Sequence, residues 1–258
     1  MSALPRVLVI AGRDPSGAGL DADRDALAEH ALEFIGVETA RTDQDDRGVR
    51  AIGARDPAVW FAETRERADA GVAAVKFGLL PGRAHVTRAA QLVVHLRRTA
   101  RADLPVVLDP VLAASSGSRF LDADGVEALR GELLGLDLVV TPNLPEAAEL
   151  ARVPLAELAR DLAARVEVAR LLLGLGARAV VLKGGHGAED PVRDLVLAAG
   201  AGPVWLTHPR TPGGKLRGSG CRFASHLAGS LGLGRPLAEA ARAAGEFVAA
   251  RIAAEGAT

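Results

Sequence analysis

Apolar residues in this chain gather in short unbroken runs, separated by longer stretches in which they recur every three or four positions. The runs Arg6–Ala11, Val72–Phe77, Pro105–Asp109, Leu138–Thr141 and Ala179–Lys183 lack polar alternation. Strands covered on both faces read this way, because neither face needs a polar set. A sixth run, Phe34–Ala40, is more broken. Between the runs, the periodicity predicts helices over 20–32, 57–70, 83–99, 123–133, 155–174, 219–231 and 236–254. Pro57 and Pro236 stand where a first helical turn accepts proline. Strand and helix in alternation predict an α/β domain built on a mainly parallel sheet. No repeat or break in composition divides the chain, so a single domain over 1–258 is expected, with Gly200–Gly214 as a loop or hairpin region.

Composition narrows the function classes. With 258 residues, 49% hydrophobic and 24% charged, the chain can bury a large core. A formal net charge of −1 argues against a nucleic-acid footprint or an anionic membrane partner. The first apolar run is too short for a signal peptide, and no run approaches a bilayer span, so a cytoplasmic protein is expected. One cysteine excludes an internal disulfide and a cysteine-based zinc cluster. Only Lys76, Lys183 and Lys215 are lysines among 31 basic residues. Where arginine is used almost everywhere, a lysine marks a place that wants a compact point charge.

Ligands of parallel sheets bind beyond the carboxyl ends of the strands. Those ends read Ala11–Gly19, Lys76–Leu80, Leu108–Val111, Thr141–Glu146 and Lys183–His186, each rich in Gly, Pro or polar residues. The segment Arg217-Gly-Ser-Gly-Cys221 adds a glycine turn before a helix. Such a turn aims backbone N–H groups into one concavity, and the helix behind it favours an anion. Phosphoryl transfer needs donors of this kind. A thiol there is expected to ionise more easily, so Cys221 could take a proton from an attacking hydroxyl. The competing reading is a small apolar residue at an ordinary helix start.

The loop from Gly12 to Gly19 is a second possible phosphate cradle or a plain polar turn. It matches neither the P-loop nor the dinucleotide spacing. Asp21, Asp23 and Asp25 open a helix, where acids suit the dipole. Asp23 could also hydrogen-bond a polar heterocycle. Asp109 and Glu146 offer hard oxygens suited to Mg²⁺ near a phosphate, or else are a turn acid and a first-turn helix acid. Lys183 could meet nucleotide phosphates or stand in solvent. The six histidines show no metal-ligand spacing; His186 and His226 read as loop and helix residues.

Taken together, the motifs resemble the hydroxymethylpyrimidine and phosphomethylpyrimidine kinases of thiamine biosynthesis, within the ribokinase-like superfamily. The segments AGRDPSGAGLDAD, VKFGLL, VLDPVLAASSG, TPNLPEAAEL, VLKGGH and GSGC look like the family's motifs in their order. The resemblance implies a three-layer α/β/α fold, usually a homodimer, which uses ATP and Mg²⁺ to phosphorylate a small-molecule pyrimidine and then its phosphate ester. It implies that Gly218, Ser219, Gly220 and Cys221 form the anion hole, with Cys221 as catalytic base. Gly12, Asp23 and Gln44 would meet the pyrimidine, and Asn143, Lys183 and Lys215 the nucleotide. Asp109 and Glu146 would lie at the metal.

The chain also departs from the family pattern. Its first loop has one glycine fewer and carries Arg13. Asp43-Gln44-Asp45-Asp46 replaces Ala-Gln-Asn-Thr, and Ser115 stands where lysine is usual. Lys215-Leu216-Arg217 precedes the anion hole, and Arg222 replaces threonine after Cys221. These departures leave two alternatives: a kinase of another hydroxymethyl heterocycle, such as a pyridoxal-like ring, or a catalytically weak ligand-binding or regulatory homologue.

Overall fold

A computed structural model describes residues 4–45, 48–68, 71–99, 101–114, 116–211 and 216–255. Its strands are β1 (Arg6–Arg13), β2 (Glu33–Asp45), β3 (Gly48–Ala54), β4 (Ala74–Phe77), β5 (Val106–Leu108), β6 (Val139–Val140), β7 (Ala179–Leu182), β8 (Val192–Ala198) and β9 (Val204–His208). They form one nine-stranded sheet in the order β3-β2-β1-β4-β5-β6-β7-β8-β9. Neighbours from β2 to β7 are parallel. Antiparallel strands close both sides, β3 on β2 and the β8–β9 pair on β7. The six predicted runs are the parallel strands. The strands not named in the prediction are the antiparallel ones, β3 and β9 at the two edges and β8 beside β9, and β9 falls within the segment expected as a loop or hairpin region.

The helices are α1 (Leu20–Leu27), α2 (Pro57–Ala68), α3 (Arg83–Thr99), α4 (Ala123–Ala128), α5 (Leu144–Ala151), α6 (Leu155–Arg160), α7 (Leu162–Gly174), α8 (Ser219–Gly232) and α9 (Leu237–Glu255). Two predicted helices are interrupted. The first stops as an α-helix at Ala128 and continues as a π turn over Leu129–Leu133. The second breaks at Asp161, whose extended backbone ends α6 and whose carboxylate accepts from the Ala163 N–H at 2.7 Å to cap α7. Among the described residues, no helix is long and apolar enough to cross a membrane.

Successive residues of each parallel strand serve opposite faces. Leu8, Ile10, Val75 and Phe77 enter the core packed beneath α2 to α7. Val7, Val9, Ala74, Val107 and Val181 enter the one beneath α1, α8 and α9. The α/β fold read from the sequence is thus realised as three layers, with apolar sets on both faces of the sheet. The strand order reverses at β1, which has β2 on one side and β4 on the other. That reversal opens a crevice at the carboxyl ends, which is where such sheets bind ligands.

Candidate active site

The carboxyl ends of β1, β4, β5, β6 and β7 meet the start of α8 on one rim of the sheet. Gly218 caps α8 with φ +75°, a conformation that favours glycine. A methyl group there would lie 2.9 Å from Ala18 Cα and 3.0 Å from Ala22 Cβ, so α8 begins pressed against the β1 loop. Gly220 faces the other way: a methyl group on it would lie 3.2 Å from Lys183 Nζ and 3.7 Å from Asp109 Oδ2. The turn over Gly218, Ser219, Gly220 and Cys221 is half-buried and borders a charged cluster.

That cluster is built from three strand ends. Asp109 follows β5 and accepts from Lys183 Nζ at 3.0 Å. Asn143 follows β6 and caps α5 reciprocally with Glu146. Its side chain accepts from the Glu146 N–H at 2.9 Å, and the Glu146 carboxylate accepts from the Asn143 N–H at 2.8 Å. Lys183 follows β7, and its own N–H donates to Pro142 O at 2.9 Å, which ties the two strand ends together. Burial alone would lower Lys183, but Asp109 and Glu146 outweigh it and hold the ammonium above the ordinary lysine range. Burial raises Glu146 to about 7; Lys183 pulls it down and Asp109 pushes it up.

The expected Mg²⁺ fits this donor set only with help. Among the described residues, no three His, Cys, Asp or Glu side chains converge to hold a metal unaided. Asp109 and Glu146 supply two hard carboxylates; burial is what chiefly raises Glu146, and a bound cation would favour its charged form. Mg²⁺ commonly completes its shell with waters and phosphate oxygens.

On the opposite side of the crevice, Gln44 Nε2 donates to Asp14 Oδ2 at 2.5 Å and to Thr42 Oγ1 at 3.3 Å. Asp14 also lies 3.7 Å from Arg217 Nη1, which joins this edge to the approach of the anion turn. Gly12 packs directly under Leu79; a methyl group there would come within 2.7 Å of its side chain. Strand alternation turns Asp43 outward, 3.7 Å from Arg50, so this acid does not add charge beside Gln44.

Two expectations need correction. Asp23 does not present its carboxylate to a heterocycle: its side chain is fully buried and bound to Lys76 Nζ at 2.8 Å and Ser225 Oγ at 2.7 Å. One turn into α1, it points at the sheet rather than at the rim. Cys221 does not ionise more easily than an ordinary thiol. Burial pushes it up to about 11, Lys76 pulls it down, Asp23 and Asp109 push it up, and a backbone hydrogen bond with Gly19 pulls it down. The residue stays partly open to solvent, which tempers the shift without reversing it.

The unusual residues near the turn are held by ion pairs. Arg222 Nε meets Asp25 at 2.8 Å and its Nη1 donates to Arg217 O at 2.7 Å, so it braces the loop from behind. Arg13 pairs with Glu38 and Asp21, each at 3.2 Å. His186 sits in a short 3-10 turn, and His226 is buried in α8 with its ring stacked 5.0 Å from Phe247. Lys215, Ser115 and Asp46 lie outside the described residues. The sequence reading missed Asp194 on β8, which accepts from the Gly184 N–H at 2.7 Å and holds the turn after Lys183. Only recognition of β8 as a strand would have pointed to it.

Known proteins resemble this chain in sequence and fold. A hydroxymethylpyrimidine/phosphomethylpyrimidine kinase of Streptomyces coelicolor is 37% identical over 97% of this chain and 89% of its own. One from Rhizobium meliloti is 36% identical over 96% and 90%. Among solved structures, a Staphylococcus aureus pyridoxal kinase in complex with AMP-PCP and pyridoxal superposes with a TM-score of 0.84 at 28% identity, covering 96% of this chain and 87% of that one. A phosphomethylpyrimidine kinase from Clostridium difficile 630 does so with a TM-score of 0.78 at 25% identity, covering 96% and 99%. The family model for phosphomethylpyrimidine kinase matches residues 14–257, and with that match over nearly its whole length the chain belongs to this family.

Proposed function

We propose that the protein transfers the γ-phosphoryl group of ATP to the hydroxymethyl group of an aminopyrimidine, or to its monophosphate, in thiamine biosynthesis. The observation that carries this reading is the glycine turn of Gly218–Cys221, set at the start of α8 and directly against Lys183 and Asp109. Backbone N–H groups of Gly218, Gly220 and Cys221 would meet the negative charge that gathers on the transferred group, while the Ser219 N–H already donates to Leu216 O at 3.2 Å and would have to give up that bond to join them. Lys183 and Asn143 serve the nucleotide phosphates, and the family resemblance assigns Lys215 the same role. Asp109 and Glu146 would hold Mg²⁺, which when bound would neutralise phosphate charge. The acceptor oxygen attacks phosphorus in line while Cys221 removes its proton. The same reading makes the protein a cytoplasmic homodimer.

Substrate choice lies with Gly12 and Gln44. The Gln44 amide nitrogen must face Asp14, because a carboxylate only accepts; its oxygen is therefore the atom it can offer to a ring amino group. This favours an aminopyrimidine. The likeness to pyridoxal kinase motivates the second reading, a pyridoxal-like ring in the same crevice. ADP release measured with each acceptor decides between them: faster turnover of pyridoxal would overturn the pyrimidine assignment, and ligand binding without ADP release would overturn catalysis itself. Cys221→Ala should lower turnover by about 10²-fold with ATP affinity little changed. Turnover should also rise with alkaline pH in the parent and not in the variant, because burial keeps the thiol protonated near neutrality. Parent-like turnover of Cys221→Ala would remove Cys221 from the role of base.

A further inference from the structure

Lys76 is the one charged residue on an otherwise apolar strand face, and the site described above does not use it. In register it lies between Val9 of β1 and Val107 of β5. Both belong to the core beneath α1 and α8. Its side chain is 0% exposed. Gly78 leaves room for it, since a methyl group there would lie 2.8 Å from Lys76 Nζ. The ammonium is bound to Asp23 Oδ1, which also accepts from Ser225 Oγ, while Asp23 Oδ2 is buried with no hydrogen-bond partner. As a stability device this arrangement is poor, because a buried ion pair with an unsatisfied oxygen gains little over well-packed apolar residues.

Its position supplies the reason. Ser225 and Cys221 are four residues apart on α8 and so share one face. Asp23 and Gly19 stand in the same relation on α1, joined by the Asp23 N–H donating to Gly19 O at 2.9 Å. Gly19 in turn hydrogen-bonds Cys221 through its backbone. The contact of Asp23, Ser225 and Lys76 therefore lies one helical turn behind the contact of Gly19 and Cys221.

We propose that Lys76 is a positioning residue for phosphoryl transfer, whose buried ammonium, fixed by Asp23 and Ser225, places positive charge behind Cys221 and favours its thiolate. The inference rests on Cys221 acting as base. The acceptor hydroxyl gives its proton to the Cys221 sulfur, forming S–H. The acceptor oxygen bonds the γ-phosphorus, and the bond from that phosphorus to the β,γ-bridging oxygen breaks, its electron pair leaving with ADP. Lys76 neither gains nor loses a proton. Burial alone would discharge it, but the charges of Asp23, Cys221 and Asp109 outweigh burial and hold it above the ordinary lysine range. Burial also raises Asp23, against the pull of Lys76 at 2.8 Å. The charged groups around Cys221 are Lys76 on β4, Asp23 on α1, Asp109 after β5 and Lys183 after β7.

The chain suits a direct test, because Cys221 is its only cysteine and it has no tyrosine. The ultraviolet absorbance of thiolate then titrates a single group. In Lys76→Met the Cys221 midpoint should rise by about one pH unit, a tenfold loss of thiolate near neutrality. In Asp23→Asn, which leaves the cation uncompensated, the midpoint should fall. Because either change can leave a lone buried charge and prevent folding, the neutral double variant Lys76→Met/Asp23→Asn is the decisive one. Its midpoint should rise and its kcat should fall while the KM for ATP holds. A folded double variant that titrates Cys221 at the parent pH would overturn the proposal. That result beside an inactive Cys221→Ala would leave the base reading standing, whereas an active Cys221→Ala would remove the base itself.

Discussion

Replacing Asp194 with Ala should loosen the turn that follows Lys183, with a pH dependence that identifies the cause. Asp194 is 4% exposed and accepts from the Gly184 N–H at 2.7 Å, while its other oxygen meets His208 Nε2 at 3.3 Å. Gly184 is buried, so water has little access to the orphaned N–H. A buried hydrogen bond to a charged acceptor contributes about 1.5–3 kcal/mol. The His208 pair, partly open to solvent, adds under about 1 kcal/mol. The expected loss is therefore about 2–4 kcal/mol at low pH, a fall in Tm of roughly 5–10 °C.

The sign of the pH effect follows from His208, which Asp194 raises above the ordinary histidine range, chiefly by their hydrogen bond. A group raised on folding stabilises fully below its unfolded value and loses that contribution as pH rises through its folded one. Asp194→Ala should thus cost more at about pH 5.5 than at about pH 8.5. Asp194→Asn, which keeps an acceptor for Gly184, should cost less and show a flatter profile. Urea unfolding at both pH values measures all of this. A loss below about 1 kcal/mol, or one equal at both pH values, would refute the reasoning.

Two further substitutions test the rim of the crevice. Gly19 has φ +62°, and a methyl group there would lie 2.1 Å from Gly12 O. Gly19→Ala should cost about 2–5 kcal/mol from strain and forced backbone movement, and should slow turnover by shifting the partner of Cys221. A parent-like unfolding midpoint with parent-like turnover would contradict this. Arg222→Thr, which restores the residue usual in the family, breaks the contacts to Asp25 and Arg217 O. It should lower stability by about 1–2 kcal/mol with turnover near the parent value, and a large fall in kcat in a folded protein would place Arg222 in the chemistry instead.

The residues most legible in the sequence were those with local causes. The β1, β4, β5, β6 and β7 runs were plain because strands packed on both faces must be apolar throughout. Glu146 proved to be the first-turn helix acid that was one of its two readings, although α5 itself was not among the predicted helices, and α8 began where the Gly-Ser-Gly turn placed it. Less legible were β3, β8 and β9, which lie at or near the sheet edges, and with them Asp194. The break at Asp161 was also hidden, because apolar periodicity continues across it while one extended residue does not alter the pattern.

By itself, the sequence determined the alternating α/β architecture, the order of the strand-end motifs and the glycine turn at Cys221, since each depends on residues close together in the chain. Tertiary structure decided what those groups do to one another. Asp23, at the dipole-favoured start of a helix, became the partner of Lys76, 53 residues away and fully buried. Cys221, at a helix N-terminus that should ease its ionisation, was driven the other way by burial. Desolvation and charge pairing depend on which distant segments close over a group, and local sequence carries no record of that closure.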